Sequence, residues 1–202
     1  MYFAIIGDIE NSRAIESRKD FQRDFHGILE ELSGRARALA SPYTVTLGDE
    51  FQALYSDPTS IMKDLFTLWG RLAPVKFRLS VGMGELDSDV NPRQALGMDG
   101  PAFHLAREGL IALKKHPGNR LGFFPGTGPV AAAGLDFLMA DTRSWKPTTY
   151  AVLVGLMDGG NAESIGEQCG ISERQAFNIM RNHGLREASA LLAAVTEEIR
   201  RA

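Results

Sequence analysis

Two short acidic steps stand out for the chemistry they could do. Gly48-Asp49-Glu50 lies between the runs TVTL and FQALY, and Gly7-Asp8 follows the apolar run MYFAII. Val45, Leu47, Phe51, Ala53 and Tyr55 recur two apart within each run, the period that sends side chains to one face of a sheet. Gly-Asp suits a tight turn, so residues 44–55 are expected to form a β-hairpin with acids at its tip. Neighbouring carboxylates repel one another unless water, a basic group or a cation balances them. If the first strand pairs with the hairpin, Asp8 and Asp49 arrive at the same sheet edge and can share a cation. Taken singly, Asp8 could cap a turn and Asp49 could be the favoured hairpin residue. Glu50 is a weaker partner, because one of two consecutive strand-end residues normally points away.

The surrounding periodicities supply the elements that must bring these acids together. Residues 1–9 read as a core strand leading into the polar loop Glu10, Asn11, Ser12, Arg13. Phe21, Phe25, Ile28, Leu29, Leu32, Ala36 and Leu39 fall three and four apart, which predicts an amphipathic helix over about residues 18–40, ended by Ser41-Pro42. After the hairpin, Asp57-Pro58-Thr59 opens a second helix with an apolar stripe of Ile61, Met62, Leu65, Leu68, Trp69 and Leu72. Residues 76–84 alternate as a strand, Gly100-Pro101 starts a helix through Lys115, and residues 119–124 make a last short strand. This order, a repeated split βαβ pattern around a hairpin, predicts an α/β ferredoxin-like sandwich. Beyond Thr127 only helical periodicities remain. The expected division is a first domain over 1–126, a helical connector over 127–144 and a helical unit over 145–202.

Composition bounds the function classes. With 202 residues, 44% of them hydrophobic, the chain can bury a sizeable core, and a net charge of -3 supplies no overall field for a polyanion. Any nucleic-acid contact must come from a local patch. The single Cys169 makes no internal disulfide and reads as a core residue. No apolar run reaches membrane-spanning length, and the N-terminal one lacks a basic leader, so a cytoplasmic protein is expected. Ser-His-Asp sets, zinc-ligand spacings and a Walker loop are absent, which leaves hydrolase and P-loop readings unsupported. His104 and Arg107 lie three apart on a predicted helix and share a face, and Lys114-Lys115 reads as a solvated helix end favoured by the dipole.

Within residues 161–183, Ile165, Cys169, Ile171, Ala176 and Ile179 are spaced to fill the core between two short helices. Gly166 allows close approach, Gly170 sits at the turn and Ser172 caps the second helix. That spacing predicts a helix-turn-helix whose solvent face carries Glu173, Arg174, Gln175, Asn178, Arg181 and Asn182. Of these, Arg174, Gln175, Asn178 and Arg181 are the candidates for contacting DNA phosphates and base edges. From Asp141 onward seven Lys or Arg stand against eight Asp or Glu, a weak charge for a DNA-binding module. A helical unit used for dimerisation is the plainer alternative.

With GDIENSR near the start, TLGDEFQALY in the middle, GPAFHLARE later and a helix-turn-helix at the end, the chain resembles the SatD family of bacterial proteins. The first domain also looks like the palm fold of nucleotidyl cyclases, both the GGDEF-type and the adenylyl and guanylyl cyclases. That likeness implies Mg²⁺ or Mn²⁺ held by Asp8, Asp49 and the backbone carbonyl of Ile9, with Glu50 standing where the GGDEF signature has its following acid. It implies that Asn11, Ser12 and Arg13 face a triphosphate. It makes His104 and Arg107 the catalytic candidates. The cyclase pattern has an asparagine four residues after the later glycine and an arginine eight after it. Here those places hold His104 and Glu108, with Arg107 one position early, and Leu47 replaces the first of the doubled glycines.

The expectation is a cytoplasmic regulatory protein in which a palm-like domain binds a metal-nucleotide or other phosphorylated ligand and the helix-turn-helix binds DNA or mediates assembly. The alternatives are an active nucleotidyl cyclase or phosphotransferase, using two metal ions as a homodimer, and a non-catalytic protein-interaction scaffold.

Overall fold

Neither face of the strand β1 (Tyr2–Ile9) meets water along its middle: Phe3, Ala4, Ile5, Ile6 and Ile9 are all buried, which makes it a central strand. In the computed structural model, which describes residues 1–35, 38–116, 118 and 120–201, the described residues form one five-stranded sheet and eight α-helices, a mixed α/β architecture. The chain runs from β1 through α1 (Arg18–Arg35), the hairpin of β2 (Leu39–Leu47) and β3 (Glu50–Tyr55), α2 (Ile61–Leu72), β4 (Phe77–Gly84), α3 (Pro101–Lys115) and β5 (Leu121–Phe124). Five helices follow: α4 (Pro129–Asp141), α5 (Pro147–Met157), α6 (Ala162–Cys169), α7 (Glu173–Asn182) and α8 (Leu185–Arg201). The sheet order is β2-β3-β1-β4-β5, with β1 antiparallel to β3 and β4, and β5 added parallel to β4 after the crossover helix α3.

Two compact units result: residues Met1–Ser60 with Pro74–Thr127, and Ile61–Ala73 with Gly128–Ala202. The helix α2 groups with the second, although it interrupts the first in sequence. Its Ile61, Met62, Leu65, Phe66, Leu68, Trp69 and Leu72 are all buried, a wider apolar surface than the single stripe its spacing suggests.

In the first unit helices cover both faces of the sheet. The ring of Phe25 on α1 packs edge-on against Phe51 at 5.4 Å, and Phe51 meets Phe77 at 6.1 Å. On the other face Ala4, Ile6 and Leu54 pack against Ala102, Phe103, Ala106 and Leu110 of α3. Glycine sets how closely α3 approaches, since a Cβ on Gly82 would stand 2.1 Å from the carbonyl oxygen of Ala102 and 2.3 Å from the nitrogen of Ala106. On α3 itself, a Cβ on Gly109 would strike the Phe124 ring and the Ser80 hydroxyl. Contacts this short leave no room for any side chain, so the seat of α3 on β4 is fixed by backbone.

Two expected boundaries are corrected. The helix predicted over about residues 18–40 ends at Arg35, and Leu39, assigned to its stripe, opens β2 opposite Tyr55. Ala36, also assigned to that stripe, lies outside the described residues. Ser41-Pro42 falls inside β2 because β2 is the sheet's edge and its register shifts between Ser41 and Thr44. A proline lacking an N–H is tolerated at such a bulge. The last strand begins at Leu121, and Asn119 lies outside the described residues.

The second unit is all helix among the described residues. Phe66 and Trp69 of α2 stack edge-on at 5.3 Å, Trp145 and Tyr150 at 5.2 Å, and Phe66 lies 6.4 Å from Tyr150. Two of these rings have satisfied polar ends, Trp145 Nε1 donating to Asp141 Oδ2 at 2.7 Å and Tyr150 Oη to the Thr142 carbonyl at 3.0 Å. No helix among the described residues is long and apolar enough to cross a membrane.

Candidate functional site

Strand register decides which acids meet. Asp8 is the cross-strand partner of Glu50 on one side and of Arg78 on the other, so the three side chains stand in a row on the face that carries α3. The hairpin turn is Gly48-Asp49, with Gly48 at φ 61° and the Asp49 amide donating to the Leu47 carbonyl at 2.5 Å. The Ile9 amide donates to the Asp49 carbonyl at 3.0 Å, which brings the end of β1 to the turn. Asp8 and Asp49 therefore reach one edge. Their carboxylates engage different partners: Asp49 Oδ2 accepts from Ser12 Oγ at 2.5 Å, whereas Asp8 faces cations.

Those cations come from α3 and β4. Lys114 Nζ lies 3.0 Å from Asp8 Oδ1, and Arg78 reaches Asp8 Oδ2 at 3.9 Å and Glu10 Oε1 at 3.4 Å. Arg107 Nη1 donates to Glu50 Oε2 at 2.5 Å, and Thr46 Oγ1 donates to Glu50 Oε1 at 3.2 Å. Glu50, expected to point away, is thus the acid that stands beside Asp8, because hairpin pairing places it on the shared face. Lys114, read from sequence as a solvated helix end, is an ion-pair partner of Asp8. It lies seven residues beyond Arg107, two helical turns along the same side. Arg78 carries a sequence signal: in FRLSVGMG it is the charged member of an alternating strand, facing the same way as Ser80.

The other expected site residues are dispersed. His104 Nε2 meets Asp99 Oδ1 at 2.7 Å in an exposed pair, so it and Arg107 engage different acids despite sharing a helix. Asn11 is exposed and takes the left-handed conformation, φ 52°, which asparagine tolerates better than most residues. Ser12 is buried on Asp49, and Arg13 is exposed.

Hard carboxylate oxygens have the right chemistry for Mg²⁺ or Mn²⁺. The arrangement does not fit a resident ion, because Asp8 and Glu50 already have cationic partners and Asp49 is turned to a hydroxyl. Among the described residues no three His, Cys, Asp or Glu side chains are grouped as a metal would need. A cavity of about 370 Å³ in the same unit lies elsewhere, between α1, β2 and Arg93-Gln94, lined by His26, Leu29, Glu30 and Tyr43 among others, and none of the acids of the row borders it.

In the second unit a short helix, a tight turn and a second helix follow one another. Asn161 caps α6 by accepting from the Ser164 amide, and Gly170 ends it at φ 65° while the Ile171 amide bonds back to the Gly166 carbonyl at 2.9 Å. Ser172 and Gln175 form a reciprocal capping box on α7. The S-x-x-Q spacing announces that box, and it engages the side-chain oxygen of Gln175, one of the four DNA-contact candidates. Ala176 and Met180 are buried, whereas Arg174 and Arg181 are exposed and Asn178 half-buried. Phe177, absent from the candidate set, is 49% exposed between them. Partial burial raises the thiol pKa of Cys169, on α6, above its ordinary value.

Fold and site together define an α/β protein with a charge-compensated acid row across the ends of the inner strands β3 and β1, followed in sequence by a helical unit with a polar, outward-facing helix. Residues 2–119 match the SatD family model, more than half of the chain, and the protein belongs to the SatD family. No curated protein matches the sequence.

Proposed function

We propose that this SatD-family member is a cytoplasmic regulatory protein whose α6–turn–α7 segment is a helix-turn-helix that reads duplex DNA. The observation that carries the reading is the outward stripe of exposed Arg174, Phe177 and Arg181 with half-buried Asn178, at i, i+3, i+7 and i+4 of α7, opposite the buried Ala176 and Met180. An arginine can pair with guanine or phosphate, an asparagine with adenine, and an aromatic ring can meet a thymine methyl group. Gln175 contributes through the cap, which fixes the start of the recognition helix.

The first unit is proposed as a ligand-responsive palm-like domain of ferredoxin-like type. The order β2-β3-β1-β4 with β1 antiparallel to both neighbours, and the aspartates at the end of β1 and in the hairpin turn, support that assignment. Its ligand is a nucleotide or other phosphorylated molecule, met by the exposed Arg13 of a loop that Ser12 ties to the hairpin. Fluorescence anisotropy of the full chain on duplex DNA tests the first part. Binding that weakens with salt and is lost in Arg174→Ala/Arg181→Ala supports it; binding indifferent to both removes specific recognition by α7.

A further inference from the structure

The acid row is more deeply placed than the cations that balance it. Side chains of Glu50 and Asp8 are 10% and 16% exposed, whereas those of Arg107 and Lys114 are 45% and 44% exposed. In each pair the cationic group is therefore the more solvent-exposed member, and a dissolved cation approaching either carboxylate meets a positive charge beside it. Arg78, 18% exposed, adds a positive charge from within the sheet. We infer that Arg107 and Lys114 are fixed counter-ions that close this carboxylate row to divalent cations, so that the first unit works without Mg²⁺ or Mn²⁺ and would bind such an ion only if one or both of those side chains were removed.

Two features make the closure a property of the fold. The cations are seven residues apart on one helix, and that helix is seated on β4 by the Gly82 and Gly109 contacts, where no Cβ fits. It cannot slide away from the strand ends without breaking those contacts. Each inner acid also has its own cation, Glu50 with Arg107 and Asp8 with Lys114, so the row's charge is matched locally and not by a diffuse field. A divalent ion binding here would have to displace one of those partners, leaving a cation beside a metal, which is repulsive at any effective dielectric.

Mn²⁺ binding to the full chain, followed by the electron paramagnetic resonance signal of the free ion, tests this. The native protein is expected to bind Mn²⁺ no better than Asp8→Asn does. Arg107→Met/Lys114→Met is expected to bind at least about tenfold tighter than the native chain, a gain abolished by adding Asp8→Asn. Stoichiometric Mn²⁺ binding by the native protein that disappears in Asp8→Asn overturns the inference, whatever the variants do. So does a folded double variant, judged by circular dichroism, that gains nothing. If the double variant does not fold, Lys114→Met, which unmasks Asp8 alone, is held to the same criterion.

Discussion

Glu50 and Arg107 are unequal partners, because the acid is mostly enclosed and the cation is nearly half in water. Removing the arginine strands a carboxylate that also bonds Thr46, and the cost falls on the enclosed group. Arg107→Ala is expected to destabilise the protein by about 1–3 kcal/mol in urea titration, with a double-mutant cycle against Glu50→Ala giving a coupling of about 1 kcal/mol or more. His104→Ala serves as the contrast. Its pair with Asp99 is solvent-exposed on both sides, so the change is expected to stay within about 0.5 kcal/mol. Equal effects at the two positions would mean that burial does not govern these pairs. Cys169 gives a second test at this scale. A folded-state thiol pKa raised by desolvation keeps the protonated form favoured, so alkylation at neutral pH is expected to be slower than for a free thiol. Its stabilising contribution is lost as pH rises through and beyond the ordinary thiol value of 9.0. Alkylation at the unfolded rate would place the thiol in water.

At the scale of elements, α3 carries the cations and two glycines set its depth. Gly82→Ala drives a Cβ into the backbone of Ala102 and Ala106, which cannot rotate away, and an overpacking cost of about 1–3 kcal/mol is expected in thermal or chemical unfolding. A neutral Gly82→Ala would contradict the close seat. Ser172→Ala, which removes the capping hydroxyl of α7, is expected to cost about 1 kcal/mol. These elements were largely legible in sequence, because alternation marked β1, the hairpin and β4, Gly100-Pro101 marked the start of α3, and Ser172 marked the start of α7. The end of α1 was not, since Leu39 happens to continue the helical spacing while β-pairing to Tyr55 claims it. Nor were the cation partners. Lys114 meets Asp8 across 106 positions and Arg107 meets Glu50 across 57, separations that local periodicity does not encode. What could be read was the edge where Asp8 and Asp49 arrive; which carboxylate turns to which neighbour depends on strand register, fixed only once the sheet is formed.

For the whole molecule, a net charge of -3 supplies no global field for DNA, so the contact proposed for α7 has to be local. A nucleotide or other phosphorylated ligand of the first unit would raise the melting temperature of the full chain in the absence of added metal, and a shift that requires Mn²⁺ would contradict the closed acid row. With two arginines at the proposed reading face, the salt dependence should be shallow, and each arginine that touches phosphate should reduce the slope of log K against log salt by about 1 when replaced. The most direct measurement is selection of bound sequences by the full-length protein from random duplex DNA, repeated with Arg174→Ala/Arg181→Ala. The account predicts that the native chain enriches a defined sequence and that the double variant, still folded by circular dichroism, enriches none; equal enrichment by both, or none by either, would contradict DNA reading by α7.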